Sequence, residues 1–232
     1  TPRSSANLKP TAATATGLVE QICNELKPAN AKHLCELADA LKGAKQLAGS
    51  KAVSVWFDGG ARPNPGRGGC GAVVKDRASG EQVYAASVFL GDGVTNNEAE
   101  YQGAIEGVIA AFAMGAEEIE LIGDSKLISS QIAGKMQASN PRMALLRDVA
   151  QLCLSSIPTR TIRHVLRAEN ADADALASQA IIKAQTQREF ARDDVAKGLL
   201  VPRIKTLYDF HGINPEHISG MEGYYATSTL NT

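Results

Sequence analysis

The order of alternating and helical segments between residues 53 and 185 most limits how this chain folds. Three segments with the period-two alternation of strands come first, and two further strands then alternate with helical patterns. Strands are predicted over 53–58, 69–76, 82–91, 118–123 and 160–166, and helices over 96–114, 125–134, 141–155 and 171–185. Strands joined by turns pair antiparallel, whereas strands separated by helices pair in parallel. We therefore expect an α/β fold with a mixed five-stranded sheet, three antiparallel strands preceding parallel strands, and helices on both faces.

Two local signals mark boundaries within this pattern. The Gly and Pro residues clustered at 58–69 predict a loop directly after the first strand. Thr95, with Glu98 three residues later, fits a capping box and predicts the start of the first long helix.

The balance of positive and negative charge restricts how this chain can bind nucleic acid. Lys and Arg number 24 against 25 Asp and Glu, which gives a formal net charge of −1. Attraction to phosphate over the whole surface needs clustered cations, so any nucleic-acid role depends on a local site. The longest apolar runs are short, and no membrane span is expected. The four cysteines form no CxxC pair, which favours reduced thiols in an intracellular protein.

Both ends of the chain lie outside the pattern of strands and helices described for residues 53–185. We predict a flexible lead and helical hairpin over 1–50, one domain over 51–185 and a C-terminal extension over 186–232. The two extensions are candidate contacts for a protein partner or a large assembly. The first nineteen residues contain no acid and resemble the end of an organellar transit peptide, although a disordered linker explains the composition equally well. A mitochondrial or chloroplast location is therefore expected ahead of the nucleus or cytoplasm.

Acidic residues fall at the ends of predicted elements. Asp58 closes the first strand and Asp124 closes the fourth, so they become neighbours if those strands pair in parallel. Glu100 lies early in the first long helix, and Asp174 lies early in the last helix. Four carboxylates gathered at one sheet edge repel one another unless cations lie between them. Carboxylate ligands suit Mg²⁺, with Mn²⁺ as the alternative, and two ions about 4 Å apart suit phosphodiester displacement.

Four blocks of this sequence resemble the signature blocks of type 1 ribonucleases H. They are FDGGARPNPGRGG at 57–69, TNNEAEYQGAI at 95–105, GDSKLISSQI at 123–132 and RHVLRAENADADALAS at 163–178. The resemblance covers about 53–183. It implies a ribonuclease H-like fold and hydrolysis of the RNA strand of RNA–DNA hybrids by two metal ions.

The resemblance also implies which residues carry the chemistry. The family's metal-binding and catalytic acids match Asp58, Glu100, Asp124 and Asp174. Glu98 and Asp172 are the competing acids, but their offsets within the blocks differ from the family's. The predicted hybrid-binding residues are Gly59, Gly60, Asn64, Thr95, Asn96, Asn97 and Lys126, where the glycines, with Gly66, allow close approach of a loop and the asparagines resemble minor-groove contacts.

One auxiliary position is left open by the sequence. His164 lies ten residues before Asp174, where some family members carry a histidine that assists proton movement or product release. The alternation of its segment favours a strand histidine that packs or caps, and Arg167 is a rival for the auxiliary role. The chain also lacks the basic helical protrusion of some relatives, so hybrid affinity is expected to be weak or supplied by the extensions or a partner.

Two other functions fit parts of this pattern. One is a structural or interaction subunit of a larger assembly that retains the fold, because fold alone does not establish function. The other is a different nuclease or DNA-transferase of the same fold, which the Gly-rich first block and the TNN block argue against.

Overall fold

The computed structural model describes residues 51–190, together with residues 36, 37 and 47. Six strands form one sheet in the order β5-β4-β1-β2-β3-β6. Their bounds are β1 Ala52–Arg62, β2 Gly66–Asp76, β3 Gln82–Val94, β4 Glu118–Gly123, β5 Thr159–His164 and β6 Gln187–Phe190. The α/β fold predicted from the sequence, with antiparallel strands preceding parallel strands in one mixed sheet, is confirmed.

The pairing of β1 with β4 sets the position of the site. The first three strands are antiparallel neighbours, whereas β1 with β4 and β4 with β5 are parallel. The last pair of β1 and β4 is Phe57 with Gly123. Asp58 and Asp124 each follow directly, so the backbone register places these two acids side by side.

Helices cover both faces of the sheet, as predicted. Their bounds are α1 Asn96–Ala113, α2 Lys126–Ile132, α3 Pro141–Ser155 and α4 Ala171–Lys183. A Cβ atom added to Gly107 of α1 would lie 2.4 Å from the Val55 side chain, so α1 packs closely on one face of β1. On the opposite face, a Cβ atom added to Gly71 of β2 would lie 2.2 Å from the Ala173 carbonyl oxygen of α4.

The larger part of the core lies between α1 and the sheet. It contains Val53, Val55 and Phe57 of β1 together with apolar residues of α1 and α3, because alternate strand residues point to the same face. Fully buried members with large side chains include Phe57, Tyr84, Tyr101, Ile105, Ile109 and Leu121.

The start of α1 is fixed by the predicted capping box. The Thr95 side chain accepts a hydrogen bond from the Glu98 backbone N–H at 3.3 Å, and the Thr95 backbone N–H donates to Glu98 Oε2 at 2.8 Å. Arg142 of α3 forms an ion pair with Glu98 at 2.5 Å. Glu98 therefore has a structural role. Its contacts fix the start of α1, and with it the position of Glu100 one turn later.

Two sequence expectations are corrected by the structure. Most of the Gly- and Pro-rich segment 58–69 is strand, since β1 continues to Arg62 and β2 begins at Gly66, and only residues 63–65 turn the chain. The sheet also has a sixth strand. β6 is short and polar, so no alternation of apolar residues marks it in the sequence. Arg188 of β6 donates a hydrogen bond to the fully buried Glu106 of α1 at 2.6 Å. That hydrogen bond joins residues 82 positions apart in the chain.

The domain boundaries and the extensions stay predictions. Of the predicted helical hairpin within 1–50, Glu36 and Leu37 are helical, and Leu37 belongs to the buried core. Leu47 donates its backbone N–H to the Met114 carbonyl at 2.9 Å. The rest of 1–50, and all of the predicted tail beyond residue 190, lie outside the described residues. No helix in the described part of the chain is both long and apolar enough to cross a bilayer.

Candidate active site

Three acids from three different elements meet at the end of β1. Asp58 lies in β1, Glu100 in the second turn of α1 and Asp124 directly after β4. One carboxylate oxygen of each lies within 4.8 Å of the other two. The convergence of these three side chains was predicted from the positions of strand ends and the helix start.

The approach of Glu100 depends on the absence of a side chain at Gly59. A Cβ atom there would lie 2.1 Å from the Ala99 carbonyl carbon and 2.2 Å from the Glu100 backbone nitrogen. No side chain fits at that distance, so only glycine lets α1 come this close to β1. The expectation that Gly59 and Gly60 belong to a loop is wrong, because both lie within β1. The close approach of Gly59 is to the helix that carries a site acid.

Two acids of this cluster, Asp58 and Glu100, hold their protons more readily than free carboxyl groups. Burial, with the neighbouring charge of Asp124, raises the pKa of Asp58 from 3.8 to about 7. Burial, with the charges of Asp58 and Asp124, raises the pKa of Glu100 from 4.5 to about 9. Glu100 Oε2 is buried and accepts no hydrogen bond from any described residue. Such a group needs a partner that the protein itself does not supply.

A divalent cation fits this arrangement. The donors are carboxylate oxygens from rigid elements, which Mg²⁺ and Mn²⁺ prefer, and the cluster contains no sulfur or imidazole ligand among the described residues. A cation between the acids would compensate the repulsion that, together with burial, raises the pKa values of Asp58 and Glu100, and it would give the buried Glu100 oxygen a partner. The residues able to hold it are Asp58, Glu100 and Asp124.

Asn170 fixes Asp124 to the neighbouring strand. Its side chain is 1% exposed, and its Nδ2 donates to the Phe57 carbonyl at 2.8 Å and to Asp124 Oδ1 at 3.1 Å. One amide thus connects β1 with the acid that follows β4. No local pattern in the sequence indicates this role, because the two partners lie 113 and 46 positions from Asn170 in the chain. The structure shows no capping bond from its side chain.

Replacing Asn170 with alanine is expected to weaken both the fold and the site. Two acceptors lose a donor in a buried place, which costs about 1–3 kcal/mol in the free energy of unfolding. Metal affinity or turnover is expected to fall roughly 10–100-fold, as for residues that orient metal ligands. Thermal melting and turnover against Mg²⁺ concentration measure the two effects. Asn140→Ala is the control, because Asn140 caps α3 away from the acids. Equal turnover in the two variants would contradict a positioning role for Asn170.

Asp174 lies at the margin of the cluster and is not one of the three converging acids. Its carboxylate accepts a hydrogen bond from the guanidinium of Arg167, which is 76% exposed. Its charge still contributes to raising the pKa of Asp58, so it lies within electrostatic reach. The competing acid Asp172 forms an ion pair with Lys75 at 2.9 Å and is not part of the cluster.

His164 ends β5 with an exposed side chain. Its Nε2 lies 3.1 Å from the Asp124 backbone oxygen, so the ring borders the acids without being packed in the core. The strand assignment is confirmed. Of the two expected roles, packing or capping, the exposed ring does not fit packing, whereas its contact with the Asp124 backbone oxygen fits capping. Arg167, the rival for the auxiliary role, is the residue that contacts Asp174.

The predicted hybrid-binding asparagines lie where β1 meets the start of α1. Asn64 Oδ1 accepts from the Asn96 backbone N–H at 3.1 Å, and Asn96 Oδ1 accepts from the Ala61 backbone N–H at 2.7 Å. Both side-chain oxygens are therefore used within the protein, while both residues are exposed. Asn97 and Lys126 are exposed at the first turns of α1 and α2, and Thr95 caps α1.

Comparison with known proteins places the chain in a family. The sequence profile of the family described as "Reverse transcriptase-like" matches residues 56–180. Ribonuclease HI of Halobacterium salinarum is 38% identical over 129 residues, covering 56% of this chain and 64% of that protein. The bifunctional protein Rv2228c of Mycobacterium tuberculosis is 39% identical over 145 residues, covering 62% of this chain and 39% of that protein. The chain thus spans less than two thirds of the length of these relatives.

Solved structures agree with this assignment. RNase H1 from Halobacterium salinarum superposes with a TM-score of 0.55 at 36% identity, covering 57% of this chain and 98% of that one. The N-terminal RNase H domain of Rv2228c from Mycobacterium tuberculosis gives 0.54 at 36% identity, covering 56% and 98%. LC11-RNase H1, obtained from compost and solved in complex with an RNA/DNA hybrid, gives 0.52 at 32% identity, covering 57% and 98%.

Proposed function

This chain belongs to the ribonuclease H family, and from that premise we propose that it hydrolyses the RNA strand of RNA–DNA hybrids with divalent metal ions. The observation that carries the proposal is the meeting of Asp58, Glu100 and Asp124 within 4.8 Å. Relatives with the names ribonuclease HI and RNase H1 support the reaction class. A relative of 32% identity that was solved with an RNA/DNA hybrid supports the substrate class.

The acids would hold Mg²⁺, with Mn²⁺ as the alternative and two ions as the expected number. When bound, such ions supply Lewis-acid activation of water and compensation of charge on the phosphate and leaving group. Asp58 and Glu100 must lose their protons to become ligands, and a nearby cation lowers their pKa values toward that state. Asn170 keeps Asp124 aimed at the cluster. Asp174 is the fourth proposed ligand, and it would join Asp58, Glu100 and Asp124 only if its carboxylate left the guanidinium of Arg167.

His164 is proposed to move protons at the edge of the site. When its Nε2–H donates to the Asp124 carbonyl, Nδ1 carries a lone pair that accepts a proton from the reacting groups or from solvent. The exposed side chain allows exchange with bulk water. This assignment is compatible with the strand position, because His164 is the last residue of β5.

The asparagines are proposed to recognise the hybrid without reading its sequence. Their oxygens are engaged internally, so Asn64 and Asn96 present amide N–H groups as donors. Every base pair offers acceptors in the minor groove, and the RNA 2′-hydroxyl also accepts. Donors alone therefore suit a sequence-tolerant contact. Gly60, Thr95, Asn97 and Lys126 complete the proposed hybrid-binding set.

A substrate panel tests the proposed reaction. The full chain with Mg²⁺ is expected to cut the RNA strand of a labelled RNA–DNA hybrid at least about a hundredfold faster than duplex RNA or duplex DNA of the same sequence, with no cleavage after chelation. Faster cleavage of duplex DNA would instead support a different nuclease of the same fold.

A structural or interaction subunit is the second candidate. The convergence of the three acids does not favour it. The segments outside the matched region 56–180 are the part of the chain that could bind a protein partner in addition to catalysis. A chain that binds no divalent ion and cuts none of the three substrates would favour that candidate.

A further inference from the structure

The last strand of the sheet carries a buried arginine. β6 lies at one edge of the sheet and pairs antiparallel with β3 over four residues. An edge strand this short is held by few backbone hydrogen bonds. The Arg188 side chain is nevertheless only 10% exposed, whereas charged side chains on edge strands usually reach solvent. The face of β6 that carries Arg188 is therefore covered.

The partner of Arg188 is a fully buried carboxylate on α1. Arg188 Nε donates to Glu106 Oε1 at 2.6 Å, and its Nη2 donates to Oε2 at 3.2 Å. The Tyr84 hydroxyl of β3 donates to the same Oε1 at 2.7 Å. A buried carboxylate is stable only when it is paired and hydrogen-bonded. Arg188 thus compensates the charge of Glu106 and ties β6 to the long helix of the domain.

The N-terminal segment packs on this same side of the sheet. Leu37 is fully buried and belongs to the core cluster that contains Tyr84. Ten residues later, the Leu47 backbone N–H bonds to the Met114 carbonyl at the end of α1. The N-terminal segment is thus attached to the domain at two places on the side where α1 lies.

Glu36 brings a second acid within reach of Arg188. Burial lowers the pKa of the Arg188 guanidinium, whereas neighbouring charges raise it above its usual value. Glu106 is the largest of these charges, and Glu36 is among them. A guanidinium has five N–H donors and can serve more than one acid. Arg188 therefore interacts electrostatically with acids of both α1 and the N-terminal segment.

We propose that the segment carrying Glu36, Leu37 and Leu47 docks on the α1 side of β3 and β6, and that it retains β6 through Arg188. Both segments lie outside the matched region 56–180, and together they form one structural unit with the domain. Without the N-terminal segment, water would compete for the charges of the Arg188 ion pair and weaken their attraction. Release of β6 would expose backbone N–H and C=O groups along β3, where another strand could pair. This inference does not depend on the proposed function.

Hydrogen exchange of the full chain tests the coupling. Leu37→Ala removes buried contacts of the N-terminal segment, and Arg188→Gln removes the cation. Each change is expected to accelerate amide exchange in the β3–β6 ladder at least about tenfold more than in the β1–β4 ladder, because the opening is local. The double variant should exchange about as fast in the β3–β6 ladder as the faster single variant. Independent effects would multiply instead.

Gln187→Ala is the matched control for Arg188→Gln. Gln187 is the neighbouring residue of β6 and faces the opposite side of the sheet, where its Oε1 accepts from Gln179 of α4 at 2.7 Å. Its effect on exchange should multiply with that of Leu37→Ala, because the N-terminal segment does not act through this contact.

A milder variant keeps the test valid if Leu37→Ala lowers the stability of the whole chain. Glu36→Gln is expected to accelerate exchange in the β3–β6 ladder by about two- to threefold, because it removes a charge near Arg188 without opening the core. Glu189→Gln, on the opposite face of β6, should leave exchange unchanged. Equal acceleration in both ladders, no acceleration at β6, or effects of Leu37→Ala and Arg188→Gln that multiply would overturn the proposal.

Discussion

Asp58→Asn is expected to abolish hybrid cleavage while making the metal-free chain more stable. Asp58 is 8% exposed and shares the cluster with Glu100 and Asp124. Removing its charge removes a cation ligand, so turnover is expected to fall at least roughly a thousandfold, on the scale seen for groups that stabilise transition-state charge. The same change relieves repulsion between buried carboxylates. At about pH 8 without metal, the variant should therefore melt at a higher temperature than the unchanged chain.

These opposite effects distinguish a site acid from a structural acid. If the carboxylate instead stabilised the fold, neutralising it would lower both the melting temperature and the turnover of the chain. Asp172→Asn is the matched control, because Asp172 pairs with Lys75 at the surface and does not belong to the acid cluster. It should keep nearly full turnover. Cleavage rates of a labelled hybrid and melting curves in chelator provide both readouts, and normal turnover by Asp58→Asn would refute the assignment.

Without metal, the stability of the chain is expected to fall as the pH rises from about 5 to 9. The pKa of Asp58 is raised to about 7 and that of Glu100 to about 9. Between the ordinary and the raised pKa of each acid, the folded chain holds a proton that the unfolded chain has released. The free energy of unfolding therefore decreases with pH over about 4–7 for Asp58 and over about 4.5–9 for Glu100.

Mg²⁺ is expected to reverse this loss. The ion binds the deprotonated acids of the folded state, so saturating Mg²⁺ should raise the melting temperature by about 5 °C at about pH 8.5 and by less than half of that at about pH 5.5. Glu100→Gln is the informative variant, because it removes the group with the higher pKa. It should flatten the dependence on pH and weaken the effect of Mg²⁺. Equal stabilisation at both pH values would show that the ion acts elsewhere.

The sequence predicted the central part of this architecture because the relevant signals are local. Alternation and helical spacing located the first five strands, and a parallel pairing of the first and fourth strands was enough to bring Asp58 beside Asp124. The capping box at Thr95 and Glu98 also depends on residues three apart, and the structure contains both of its hydrogen bonds.

The features that the sequence did not predict depend on distant contacts. β6 is held by Arg188 on the buried Glu106, a pair with no local pattern. Asn170 reaches Phe57 across 113 positions, so its role follows only from the packed sheet. Glycine is a residue type common in turns, but a Cβ atom at Gly59 would overlap the backbone of α1, which shows that this glycine allows the helix to pack on β1.

The proposed function requires that Asp58, Glu100 and Asp124 together bind divalent cations. Crystals of the full chain soaked in Mn²⁺, with anomalous scattering recorded at the manganese edge, test it most directly. We expect an anomalous peak coordinated by carboxylate oxygens of all three residues. Strong peaks only at other places, with the three carboxylates left without an ion at saturating Mn²⁺, would contradict it.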